Sequence, residues 1–256
     1  MIVDTHAHYD DEAFDEDRES LLNSMTEAGI PFIVNIGASI NSTKQTIELT
    51  KQYQFIYGAV GIHPSDTAEL EEASFAWLKQ VAELPKIVAI GEIGLDYYWD
   101  TPNRQIQKTW FDRQMELAKE IKLPAVIHSR DAAKDTLDMI KAAKLEEIGG
   151  VIHCFSYSKE MAKSYLDMGF YLGIGGVVTF KNAHKLKEVV EYSPLDQLVL
   201  ETDCPYLSPE PNRGKRNTSL NLVYVAQEIA KIKNIDYDRV LEVTEQNARK
   251  LYTIAE

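Results

Sequence analysis

Val3-Asp4-Thr5-His6-Ala7-His8-Tyr9-Asp10 carries a short apolar run into two histidines one residue apart. In a strand, residues i and i+2 point to the same face, so His6 and His8 project together, with Asp4 one step deeper. Two imidazoles converging on one point suggest a metal site, and an exposed His-x-His in a loop is the plain alternative. The choice depends on whether other strand ends supply further ligands.

Outward from this stretch, apolar runs alternate with helical patterns. Strand-like runs cover 32–37, 55–60, 87–90, 124–127, 150–152, 170–174 and 198–200. Helices are expected near 16–28, 40–52, 68–83, 102–121, 132–144, 158–168 and 183–191, then near 219–233 and 237–252. Gly29 with Pro31 stops the first helix, Asn41 or Ser42 caps the second, and Thr101-Pro102 opens the fourth. Eight buried strands alternating with helices predict one α/β domain over 1–256, a (β/α)8 TIM-type barrel with an extra C-terminal helix. An open doubly wound sheet is the competitor, but no Gly-rich phosphate loop follows an early strand. Gly173-Ile174-Gly175-Gly176 lacks the dinucleotide spacing and reads as a tight turn.

The 256 residues suit such a barrel, and 45% hydrophobic with 26% charged content describes a globular chain with a large core. With Asp4 so near the start and no apolar run of about 18 residues, neither a signal peptide nor a membrane span is expected, and a cytoplasmic protein is. Cys154 and Cys204 form no CxxC and no disulfide framework. A net charge of −13 disfavours a broad basic surface for duplex DNA. It leaves a nucleic-acid substrate open, because bound divalent cations supply positive charge locally.

Of the six histidines, His6, His8, His63, His128 and His153 fall at or just past strand ends, and His184 is read as a helix-surface residue. In a parallel barrel those ends share the rim where active sites form. Glu92 and Asp203 occupy the same position on strands four and eight, and a buried-end carboxylate needs a cationic partner. The candidate ligands are His6, His8, Glu92, His128, His153 and Asp203. Six exceed one tetrahedral zinc and suit two divalent metals about 3.5–4 Å apart, bridged by Glu92. Asp203 binds metal weakly and orients or deprotonates the attacking water, or else caps the following turn. Four imidazoles favour zinc, nickel or manganese over magnesium.

Near the same rim, Tyr97, Tyr98 and Trp99 stack on bases or pack their own loop. Arg213, Lys215 and Arg216 form a basic cluster, either a contact to a phosphate backbone or a solvated charge run. Glu201 shares the parity of Asp203 and supports the site from behind. Cys154 and Cys204, of opposite parity, are expected to pack between barrel and helices.

The motifs resemble the TatD family of metal-dependent deoxyribonucleases, within the amidohydrolase-like barrels. They are Val3–Asp10, Gly61-Ile62-His63-Pro64, Gly91–Tyr97, Pro124–Arg130, His153-Cys154-Phe155-Ser156 and Leu200–Pro205, in family order. The resemblance implies a two-metal phosphodiesterase acting on DNA, a 3′–5′ exonuclease suited to single-stranded or frayed ends. It implies phosphate contacts at His63 and Arg130; otherwise His63 donates a proton or anchors its loop, and Arg130 pairs with Asp131 or Glu92. Metal-acidified water would attack phosphorus in line, with Asp203 taking its proton. Tyr157 departs from the family's usual glycine, and Thr218-Ser219 from its Glu-Pro. Hydrolysis of an amide, lactone or aminoacyl ester on the same site, and a non-catalytic protein that keeps a metal for stability, are the competing functions. No obligate protein partner is evident.

Overall fold

A computed structural model describes residues 1–255. Eight parallel strands follow one another around a single sheet in sequence order. They are β1 (Asp4–Ala7), β2 (Ile33–Ile36), β3 (Ile56–Val60), β4 (Ile87–Asp96), β5 (Ala125–Arg130), β6 (Gly150–Ile152), β7 (Tyr171–Ile174) and β8 (Leu198–Leu200). A parallel bridge between Ala7 and Cys204 brings the last strand's end back to the first. Helices α1 (Arg18–Ser24), α2 (Ile40–Gln52), α3 (Glu72–Val81), α4 (Arg104–Ile121), α5 (Ala133–Ala142), α6 (Lys159–Asp167), α7 (His184–Tyr192) and α8 (Leu222–Lys233) each follow a strand, and α9 (Tyr237–Tyr252) is the extra one. The barrel expected from the strand–helix alternation is what forms.

Period-2 alternation explains how the barrel presents its site. Val88, Val126, Val151 and Val199 belong to one buried cluster. Two residues on along the same face come His128, His153 and Glu201. Glu92 comes four residues after Val88, past register irregularities in β4 between Ile87 and Ala89 and between Ile90 and Ile93. These four strands therefore carry an apolar residue low in the barrel and a polar one at or just past their C-terminal ends. The end of α9 joins that cluster through Ala248, Leu251 and Tyr252. The Tyr252 hydroxyl donates to Thr5 O at 3.0 Å, and Asn247 Nδ2 donates to Leu198 O at 2.7 Å. The extra helix thus packs on the valine layer away from the ligand-bearing ends.

Several boundaries shift. The first helix is shorter than its periodicity suggested, and α3 starts late because a 3-10 turn over Pro64–Glu69 precedes it. Strand β4 runs six residues beyond Ile90 to Asp96, pairing with β5 as far as Asp96 opposite Arg130. No helix among the described residues is long and apolar enough to cross a membrane.

Candidate metal centre

At the C-terminal ends of these strands lies a cavity of about 820 Å³. His8, His63, Glu92, His128, His153 and Asp203 line it, and His6 is buried beneath them. Glu92 stands between two groups. Its Oε2 is 3.6 Å from His6 Nε2 and 3.8 Å from His8 Nε2. Its Oε1 is 2.7 Å from His128 Nδ1, 3.0 Å from His153 Nε2 and 3.9 Å from His63 Nε2. Asp203 Oδ1 completes the first group, 3.6 Å from His6 Nε2 and 3.3 Å from His8 Nε2. All six expected ligands converge, and His63 joins them close to Glu92 and His128.

Hydrogen bonds outside the cavity set which imidazole nitrogen faces in. His8 Nδ1 donates to Ile36 O at 2.9 Å, which turns Nε2 toward Glu92 and Asp203. Ser65 N–H donates to His63 Nδ1 at 3.2 Å, so neutral His63 carries its proton on Nε2. Burial, then the neighbouring His128, pushes His63 down to about 3, which keeps it neutral. Behind His153, Glu201 Oε1 lies 3.5 Å from Nδ1 and accepts the Cys154 N–H at 2.5 Å.

The donor set fits divalent cations. His6 Nε2 and His8 Nε2 face each other at 3.1 Å. On their other ring nitrogens, His6 Nδ1 and His153 Nδ1 are buried with no hydrogen-bond partner, as is Glu201 Oε2, and these atoms lie outside the set that faces Glu92. Burial opposes the charge on Glu92, yet His153, His128 and His6 outweigh it and hold the carboxyl well below its usual range. Burial likewise opposes a charged His8, and Asp203, Glu92 and Asp10 outweigh it to hold His8 at about 9. These carboxylates stay ionised because positive charge sits among them, a place that cations can take.

Asp96 was not among the expected ligands. It is buried, with Oδ2 3.1 Å from His128 Nε2 and Oδ1 accepting from the N–H of Tyr98 and Trp99. Its parity with Glu92 was the available signal, hidden by the assumption that the strand ends near Gly91. Asp4 ties together the segments that carry His6 and Asp203. Its carboxylate accepts from Thr202 Oγ1 and Ser219 Oγ at 2.6 Å each, and from the N–H of Thr202 and His6. Ser219, one of the departures from the family pattern, also meets the Tyr9 hydroxyl at 2.8 Å. Tyr157, the other, places its hydroxyl 3.0 Å from Ser129 Oγ, bracing the segment between His128 and Arg130.

The rim residues divide. Arg130 lines the cavity, stacked over Tyr98 at 3.8 Å, and no carboxylate lies within ion-pair distance among the described residues. Pairing with Asp131 or Glu92, the alternative for this arginine, does not occur. Arg213 lies over Phe180 at 4.3 Å and is not on the cavity wall. Arg216 is committed elsewhere, forking onto Asp17 at 2.6 and 2.7 Å. The tyrosine of the aromatic loop nearest the barrel, Tyr97, donates to Asp135 at 2.7 Å. Cys204 packs in the core as expected, but Cys154 reaches the cavity wall. Strand β6 ends at Ile152, and Cys154 turns with φ +45°, so strand parity no longer applies. Burial pushes its thiol up to about 12, far from a reactive thiolate. His184 is exposed at the start of α7, as expected.

The chain is 43% identical to an uncharacterized metal-dependent hydrolase, YabD, of Bacillus subtilis, over 99% of this chain and 100% of that protein. It is 32% identical to the uncharacterized metal-dependent hydrolase YcfH of Escherichia coli K12, over 99% of this chain and 96% of that one. The crystal structure of YjjV, a TatD homolog from Escherichia coli K12, superposes with a TM-score of 0.93 at 30% identity, covering 99% and 98% of the two chains. The sequence pattern described as TatD related DNase matches residues 3–253, so this chain belongs to the TatD family.

Proposed function

We propose that this metal-dependent hydrolase of the TatD family cleaves phosphodiester bonds of DNA, removing nucleotides from a 3′ end, with two divalent cations in its centre. The observation that carries the reading is the division made by Glu92, whose two oxygens face separate imidazole groups. His6, His8 and Asp203 would hold one cation, His128 and His153 the other, and Glu92 both. Bound there, the cations would acidify water and neutralise charge developing on phosphate oxygens.

The chain's own groups supply the remaining roles. Asp203 lines the cavity with an accessible carboxylate and takes the proton of the attacking water. Neutral His63 presents Nε2–H to a phosphate oxygen; the Ser65 bond to its other nitrogen fits a hydrogen-bond donor better than a general acid. Arg130, held on Tyr98 and with no carboxylate partner among the described residues, contacts a phosphate at the mouth.

The test is hydrolysis of an end-labelled single-stranded oligodeoxynucleotide, with Mg²⁺, Mn²⁺ or Zn²⁺ restored after chelation. Stepwise release of mononucleotides, abolished in Glu92→Ala and Asp203→Asn, is expected. No cleavage with stoichiometric metal bound would overturn the reading and direct the search to ester and amide substrates.

A further inference from the structure

Two exposed aromatic side chains stand on opposite sides of the cavity mouth. Trp99, from the loop after β4, is 63% exposed, and Tyr206, from the loop after β8, is 56% exposed. Both line the cavity. Because strand order follows the sequence around the sheet, β4 and β8 lie half a turn apart and the two rings flank whatever enters. Each loop is held in place. Asp96 Oδ1 accepts from the N–H of Tyr98 at 2.9 Å and of Trp99 at 3.0 Å. The Tyr206 hydroxyl donates to Asp11 Oδ2 at 2.8 Å. Aromatic side chains are characteristic linings of ligand-binding clefts.

The charge of the same walls narrows what binds. Asp10, Asp11, Asp66 and Asp96 line the cavity, whereas Arg130 is the one Lys or Arg among the lining residues. A long phosphate backbone finds no basic track here. Aromatic faces bind bases regardless of that charge, since every base has a π-face.

We infer that Trp99 and Tyr206 are paired stacking surfaces for the bases flanking the scissile bond, so that an unpaired terminal nucleotide is held by its base faces and not by a phosphate track. The inference rests on the phosphodiesterase reading above. Two measurements test it separately from that reading. The first compares kcat/KM for a short single-stranded oligonucleotide with that for the same strand ending in tetrahydrofuran abasic residues. Wild type should prefer the intact strand on the order of tenfold. Trp99→Ala and Tyr206→Ala should each reduce that preference by slowing the intact strand alone. A wild type without preference, or variants that both keep it, would overturn the inference.

The second measurement needs no turnover. A phosphonate-linked dinucleotide, which cannot be cleaved, is titrated into metal-loaded protein while tryptophan fluorescence is followed. Quenching in wild type that Trp99→Phe removes is expected, with Trp77 and Trp110 left as the unresponsive background. Absence of quenching would sink the stacking pair whatever the enzyme hydrolyses. Quenching without any phosphodiester cleavage would leave the pair standing and overturn the proposed chemistry.

Discussion

His128 turns Nδ1 to Oε1 of Glu92 at 2.7 Å. Asp96 approaches its other ring nitrogen, at 3.1 Å. The imidazole is therefore oriented from both ends, by a carboxylate shared with the centre and by one at the last residue of β4. Carboxylates that orient metal-ligating histidines are typically worth ten- to a hundredfold in metal affinity. Asp96→Asn should weaken metal binding by about that factor in a chelator competition titration. Unchanged affinity would leave Asp96 as no more than an anchor for the 98–99 loop.

Asp96 also marks where sequence reading stops. The ligand-bearing strand ends were legible because an alternating strand fixes which residues share a face, and a parallel barrel puts all its C-terminal ends on one rim. His6, His8, His128 and His153 follow from those two rules, whereas β4 shifts register between Ile90 and Ile93 beside Glu92 and Asp203 lies beyond β8 at φ +55°, so those two are legible only from their place near a strand end. Asp96 obeys the same parity, yet Gly91 and Gly94 imitate a loop, so the strand looked finished before reaching it. Cys154 fails in the opposite sense, because a left-handed turn at the strand end cancels the parity applied to it. The partners of Arg213 and Arg216 depend on Phe180 and Asp17, distant in sequence, and no local pattern announces them.

Asp4 gathers four donors from β1, the segment after β8 and the loop before α8. Burial pushes its carboxyl up to about 7 despite them, so the network joins the barrel's closing seam at the cost of a buried acid. Asp4→Ala should strand the hydroxyls of Thr202 and Ser219 along with two N–H groups, costing about 3 kcal/mol. For a chain of this size that lowers Tm by roughly 6–12 °C. Thermal unfolding checks it, and a shift below about 2 °C would mean that the seam closes without the network.

Glu245 on α9 accepts from Arg249 and from the amino group of Met1 at 2.7 Å. Burial raises its pKa, but the amino terminus and Arg249 outweigh it, and the carboxyl lies below its usual value. A depressed folded pKa stabilises above the unfolded value and is lost as pH falls through the folded one. Glu245→Gln should therefore cost about 1 kcal/mol at neutral pH. The Tm gap between wild type and variant should narrow from pH 6 to pH 3. A gap that stays constant with pH would show that the charge contributes nothing.

Gly173 on β7 is the reason Glu201 fits beneath His153. A Cβ there would stand 2.1 Å from Glu201 Oε2 and 2.6 Å from its Cδ. Glu201 has little room to retreat, since Oε1 accepts the Cys154 N–H and faces His153 Nδ1. Gly173→Ala should destabilise by roughly 1–3 kcal/mol through overpacking and should also weaken metal binding by displacing His153. Adding Glu201→Ala removes the colliding group. The double variant should then recover Tm relative to Gly173→Ala while metal affinity stays low, a non-additivity expected only of side chains in contact. Additive losses would place the damage from Gly173→Ala in the strand itself and release Glu201 from its role behind His153.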